Sequence, residues 1–188
     1  IGRANDLADD CDTSFTLSSQ AEAMDCETAS PGARVLRRLS HVEYDNTIRD
    51  LFGIPSEWGG SFAPDNVVHG FDNSSGGLFV SALLADQYMN AAEEIAGEVV
   101  HSRLDDLLAC GFGSRNLNCA EDFLLEHGTR IFRRPLSRAE MELYLGLFGE
   151  VYYEDGFNEA MEWTLGALLQ SPHFLYRSEV GQGDGTGL

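Results

Sequence analysis

One device, written twice, constrains this chain more than any other stretch. Residues Arg130–Glu140 read Arg-Ile-Phe-Arg-Arg-Pro-Leu-Ser-Arg-Ala-Glu. They close one amphipathic pattern, turn at Pro135 and open the next helix with Ser137 and Glu140 at capping-box spacing. A shorter echo, Arg37-Arg38-Leu39-Ser40-His41-Val42-Glu43, stands upstream. Each copy reads as a basic pair, a turn and a capped helix.

The rest of the pattern follows from these two starts. After Ser40, the residues Tyr44, Ile48, Leu51 and Phe52 recur at helical spacing and should face a core, whereas Asp45, Asn46 and Arg49 should not. Gly53 and Pro55 stop that helix. Residues 53–77 are rich in Gly, Pro, Asn and Ser and predict a long loop, with Trp58, Phe62 and Phe71 folding back onto the core. From Val80 to Leu108 the period is helical again, with Ser81 as a cap and Leu83, Leu84, Tyr88, Ala91, Ala92, Ile95 and Val99 on one side. Further helices carry Phe123, Leu124, Ile131 and Phe132, then Leu143, Tyr144, Leu147, Phe148 and Val151, and then Phe157, Met161, Leu165, Leu168 and Leu169. Ser171-Pro172 breaks the last one, and His173–Arg177 continues as a short helix or an extended segment. No segment alternates well enough to predict a strand. The expected fold is all-α, an irregular bundle of about five or six helices.

Three segments divide the chain: an acidic irregular arm over 1–30, a helical domain over 31–180, and a glycine-rich linker or cut end over 181–188. The start at Ile1, without Met, reads as processed or cut. No apolar run reaches the ~18 residues of a membrane helix. The net charge of −19 argues against nucleic acid and acidic membrane surfaces as partners. All twelve basic residues are Arg, so each can make a planar, multi-donor contact. The four cysteines fall in short-range pairs, Cys11 with Cys26 and Cys110 with Cys119, without zinc spacing or a Cys-x-x-Cys-His motif. Two local disulfides and an extracytoplasmic location are expected, with four buried thiols as the alternative. The bridge from Cys11 to Cys26 would pin the acidic arm, which has no core of its own.

Several ordered motifs carry a family resemblance. Arg37-Arg38-Leu39-Ser40-x-x-Glu43-Tyr44-x-Asn46-Thr47-x-Arg49-Asp50-Leu51 comes first. Gly70-Phe71-Asp72-Asn73, Tyr88–Glu93, Phe132–Ser137 and Gln170–Arg177 follow in order. Together they resemble a secreted planctomycete and myxobacterial family built from adjacent domains of unknown function, over roughly residues 34–180. Members of that family are associated with c-type cytochrome domains. The resemblance therefore implies an N-terminal half of a larger protein, with haem c on a partner domain or subunit and none within this chain.

Three candidate sites follow. His173, at the Ser-Pro-His-Phe break, is a candidate axial ligand for a partner's haem, or else a helix cap. Arg133 and Arg134, like Arg37 and Arg38, stand before helix N-termini where a cation gains nothing from the dipole. They are expected in internal salt bridges or on haem propionates. Asp65, Asp72 and Asn73 offer oxygen ligands to Ca²⁺, or bond their own turns. No nucleophile elbow, phosphate loop or zinc-protease motif occurs. The leading expectation is a non-catalytic helical module of a c-type haem-associated electron-transfer assembly. Its partner is a cytochrome or the C-terminal half of the same precursor. The alternatives are half of a secreted oxidative or hydrolytic enzyme, with loop 53–77 and the Ser171–Tyr176 break lining a cleft, and a calcium-stabilised surface interaction protein.

Overall fold

A computed structural model of the chain describes residues 36–67, 70, 74 and 76–178. The acidic arm, Phe71, Asp72, Asn73 and the glycine-rich tail lie outside the described residues. Val35–Glu179 group into a single unit.

Both predicted capping boxes form. Helix α1 (His41–Phe52) starts at Ser40, whose Oγ accepts the Glu43 N–H while the Glu43 carboxylate accepts the Ser40 N–H at 2.8 Å. Helix α6 (Arg138–Asp155) repeats this with Ser137 and Glu140, at 2.7 Å for the return bond. Gly53 ends α1 at φ 66°, a left-handed conformation that costs glycine little. Helix α2 (Ala82–Ser102) begins at Ser81 as expected, and a single-turn α3 (Leu104–Leu107) follows it. The remaining helices are α4 (Leu117–Phe123), α5 (Thr129–Phe132), α7 (Phe157–Gln170) and α8 (Pro172–Leu175). Between α4 and α5 the backbone widens into a π-helical turn at Leu124–Gly128.

Helix α7 is the centre of the packing, with α2 on one side and α6 on another. Its Met161, Leu165, Leu168 and Leu169 are almost wholly buried, and they meet Ala92, Ile95, Ala96 and Phe148 in one apolar core. Two expected core positions prove exposed, Leu83 at 60 % and Leu143 at 65 %. Leu83 lies in the first turn of α2 and Leu143 in α6, each beside a buried neighbour, Leu84 and Tyr144. A helix turns about 100° per residue, and at these two positions the neighbour takes the core face while Leu83 and Leu143 turn away from it.

No strand is expected from the sequence, yet β1 (Leu36–Arg38) pairs antiparallel with β2 (Tyr176–Ser178). The ribbon ties the start of the helical unit to its end, and Leu39 adds a backbone bond to Leu175 O at 2.8 Å. Three-residue strands are too short to leave an alternating pattern in the sequence.

The long loop is held by side chains rather than by a ladder. Asp45 accepts from Ser56 Oγ and Gly59 N, and Gln87 bonds Ala63 N and Ser61 O. Phe62 is buried and packs edge-on against Tyr44 and Tyr88, while Trp58 is only partly covered.

Of the two expected disulfides, one is present among the described residues. Cys110 and Cys119 are bonded across the loop before α4, with their Cα atoms 5.7 Å apart. The other expected bridge, between Cys11 and Cys26, falls in the acidic arm. Both Cys11 and Cys26 lie outside the described residues, so the disulfide expectation is met only at Cys110 and Cys119.

Candidate functional site: an arginine-rich face at the ribbon

The two capping glutamates answer where the basic pairs go. Arg37 donates to both oxygens of Glu43, at 2.6 and 3.0 Å. Arg134 does the same to Glu140, at 2.9 and 2.6 Å. In both copies the arginine stands three residues before the N-cap serine and six before the glutamate. The repeated unit is therefore Arg-x-Leu-Ser-x-x-Glu, Arg37–Glu43 and Arg134–Glu140. The basic pairs as written are offset by one residue. Arg37 corresponds to Arg134, while Arg38 corresponds to Pro135.

The forked contact changes both carboxyl groups. The Arg134 guanidinium, with Ser137 helping, holds Glu140 down to about 2. Arg37 holds Glu43 below its ordinary value in the same way. Each glutamate thus joins a bidentate ion pair to a helix N-terminus, where negative charge is favoured.

The other arginine of each pair, Arg38 or Arg133, does different work. Arg133 is the one non-glycine residue with positive φ, 57°, among the described residues. That conformation costs an L-residue about 1–2 kcal/mol. It carries the guanidinium to the carbonyl end of α8, where Nη2 donates to His173 O, Phe174 O and Tyr176 O at 3.3, 2.5 and 3.1 Å. Desolvation, with Arg177 close by, holds the Arg133 pKa below its usual value. Arg38 is buried at 1 % exposure. It donates to Leu39 O, to the Tyr88 hydroxyl and to Asp65. Burial pushes the Tyr88 hydroxyl up to about 12, so it stays protonated beside the guanidinium.

The sequence-derived candidates His173, Arg133 and Arg134 converge. His173 Nε2 lies 3.2 Å from Glu140 Oε1, its ring sits 5.2 Å from that of Phe132, and its side chain is half exposed. Its backbone N–H bonds Ser171 Oγ, which caps α8. Arg177 was not foreseen as a site residue. It stands in β2, half exposed, with Nη1 only 3.9 Å from Glu43 as its ion-pair contact. The sequence signal for it was the end of the Ser-Pro-His-Phe-Leu-Tyr-Arg motif. Arg37, Arg133, Arg134 and Arg177 thus gather around two glutamates, a local excess of positive charge on a chain of net −19.

The calcium candidate is placed differently. Asp65 contacts Arg38 through Oδ1, and its Oδ2 accepts the His41 N–H at 3.1 Å. His41 Nε2 stands 3.1 Å from Oδ1. Guanidinium and imidazole occupy the surroundings a cation would need. Burial lowers the His41 pKa, so the ring is neutral near neutral pH, and His127 is neutral for the same reason, with Nε2 against Leu107 O at 2.8 Å. Among the described residues, no group of three or more His, Cys, Asp or Glu is placed to hold a metal ion. Loop 53–77 and the Ser171–Tyr176 break do meet, at the Tyr44 ring, where Phe62 and Phe174 pack at 5.2 and 5.6 Å. That meeting is aromatic core. Among the described residues, no helix is long and apolar enough to cross a membrane.

No curated protein and no solved structure matches the chain. Two family descriptions do. Residues 37–101 match PSD3, protein of unknown function (DUF1587), and residues 119–179 match PSD5, protein of unknown function (DUF1595). The matched regions share one core, because α2 of the first packs along α7 of the second and β1 pairs with β2. The chain is therefore similar to the DUF1587 description over one stretch and to the DUF1595 description over another, and the two stretches fold together as one helical unit.

Proposed function

We propose that this chain is an extracytoplasmic helical module of a c-type haem-associated electron-transfer assembly. It docks its partner through the face made by Arg133, Arg134, His173 and Arg177. The single observation that supports this is the local charge. A strongly acidic surface repels an acidic partner everywhere except at a patch of opposite sign, so the patch sets orientation and association rate. Exposed arginines suit carboxylates, including haem propionates, because the guanidinium offers paired donors. Arg177 is the freest of them, and Arg134 keeps 40 % of its side chain exposed while holding Glu140. The partner's haem would supply the electron transfer, and this chain would supply position. His173 is kept beside Glu140 and would have to leave it to reach an iron. The Cys110–Cys119 bridge supports an oxidising compartment.

The test is an absorption spectrum of the protein purified natively with its partners. A Soret band that co-purifies, and that is lost with Arg177→Glu at unchanged melting temperature, is expected. Absence of both a Soret band and a haem subunit contradicts the proposal.

A further inference from the structure

A second feature of the fold shares no residue with the arginine-rich face. A groove of about 540 Å³ lies along α7, between Glu93 of α2 and Leu147 of α6. That volume suits a small molecule. Ala167 and Leu147, both half-buried, give the groove an apolar part. Glu93, Glu162 and the ring of Trp163 give it a second, acidic and aromatic part.

Three observations give the groove a chemical preference. The first is Glu162. It is half-buried, and its carboxylate has no hydrogen-bond or ion-pair partner among the described residues. Its oxygens are not sealed off, so a ligand in the groove can reach them. Gly97 of α2 leaves it room, since a Cβ there would stand 3.2 Å from Glu162 Oε1. A carboxylate drawn part-way out of water without a counter-charge is costly, so a cationic donor beside it is favourable. The second observation is Trp163, a large aromatic side chain left 57 % exposed. Its Nε1 donates to Glu159 Oε1 at 2.9 Å, which fixes the ring against the edge of the groove. An aromatic face attracts cations. The third is that no basic residue lines the groove, so the missing positive charge has to come from outside.

We propose that this groove is a binding site for a small organic cation, an ammonium group carried on an apolar body. The ammonium would donate to Glu162 and lie against the Trp163 ring, and the body would cover Ala167 and Leu147. Glu93, across the groove, adds to the attraction. A bare metal ion fits less well, because the carboxylates here do not converge as a metal-binding group of three. The site is distinct from the docking face, and its fate in experiment is independent of the haem reading.

The probe is 2-phenylethylammonium, with 2-phenylethanol as nearly the same body without charge and ammonium chloride as charge without body. Binding to the full chain is followed by the NMR signals of the two indole N–H groups, assigned with Trp163→Phe. Trp58 is a built-in control, because its Nε1 also donates to a carboxylate, Glu94, at 3.1 Å. General attraction to an acidic surface would move both indoles, whereas the groove site moves Trp163 alone. Affinity near the millimolar range is expected for so small a ligand. Glu162→Gln keeps the shape, removes the charge and breaks no contact, so it should weaken binding about fivefold or more without lowering the unfolding midpoint. A saturable shift of Trp163 that Glu162→Gln weakens supports the site. Overturning results are no shift of Trp163 with millimolar probe, an equal shift of Trp58, equal affinity for 2-phenylethanol or for ammonium, or binding indifferent to Glu162→Gln.

Discussion

Replacing Glu140 by Gln keeps the shape of the α6 capping box and removes its charge. The amide can still accept the Ser137 N–H, so the helix start survives. What is lost is the forked ion pair with Arg134 and the negative charge at a helix N-terminus. Arg134 is 40 % exposed, so solvent screens the pair and its contribution is about 1 kcal/mol. The helix end adds about 0.5 kcal/mol. The same substitution at Glu43 should cost more, about 2 kcal/mol, because Arg37 is only 8 % exposed. The pH dependence follows from the depressed acidity. Glu140 titrates at about 2 when folded and at 4.5 otherwise. Its contribution is therefore complete above the ordinary value and is lost as pH falls through about 2. Denaturant unfolding of the natural chain and of Glu140→Gln should show a gap at neutral pH that closes almost fully near pH 2. A gap of equal size at both pH values would refute the ion-pair reasoning. A Glu43→Gln variant cheaper than Glu140→Gln would refute the argument from burial.

Other substitutions probe other parts of the account. Removing the Cys110–Cys119 bridge with a double Ser variant frees a loop with sequence separation 9, and should lower stability by about 2.5 kcal/mol, read by denaturant midpoint under non-reducing conditions. Gly128→Ala would put a Cβ 2.8 Å from Leu136 Cδ1, and should cost about 1–2 kcal/mol unless Leu136 moves; the pairing of this cost with Leu136→Ala, which should relieve it, is the check. Arg133→Gly removes the backbone cost of the left-handed position but also its three carbonyl bonds. Hydrogen exchange should quicken over α8 and β2 while α7 stays protected, and unchanged exchange there would remove the clamp role.

The helices were legible because their signals are local. Ser40 with Glu43, Ser137 with Glu140, Gly53 and Ser81 each act within a few residues of themselves, and all four work as the spacing predicts. The Cys110–Cys119 bridge was legible for the same reason, being a short-range pair. The three-residue ribbon was not legible, since its two strands lie about 140 residues apart and each is too short to show a period. The basic pairs were legible as a feature but not in register. Aligning Ser40 on Ser137, rather than pair on pair, isolates Arg37 and Arg134 as the shared element and leaves Arg38 and Arg133 to distant partners. Arg38 reaches Asp65 and Tyr88, and Arg133 reaches the end of α8, contacts that no local rule could supply. The convergence of Arg133, Arg134 and His173 came from residues already singled out, whereas Arg177 joined them only through the strand pairing.

The claim that the arginine-rich face is the docking face can be read directly by hydrogen–deuterium exchange. The chain is compared free and within its native assembly. Slowed exchange confined to residues 133–138 and 171–177 is the predicted result. Protection that falls instead on the groove by Trp163 and Glu162, with 133–138 and 171–177 unchanged, would contradict it.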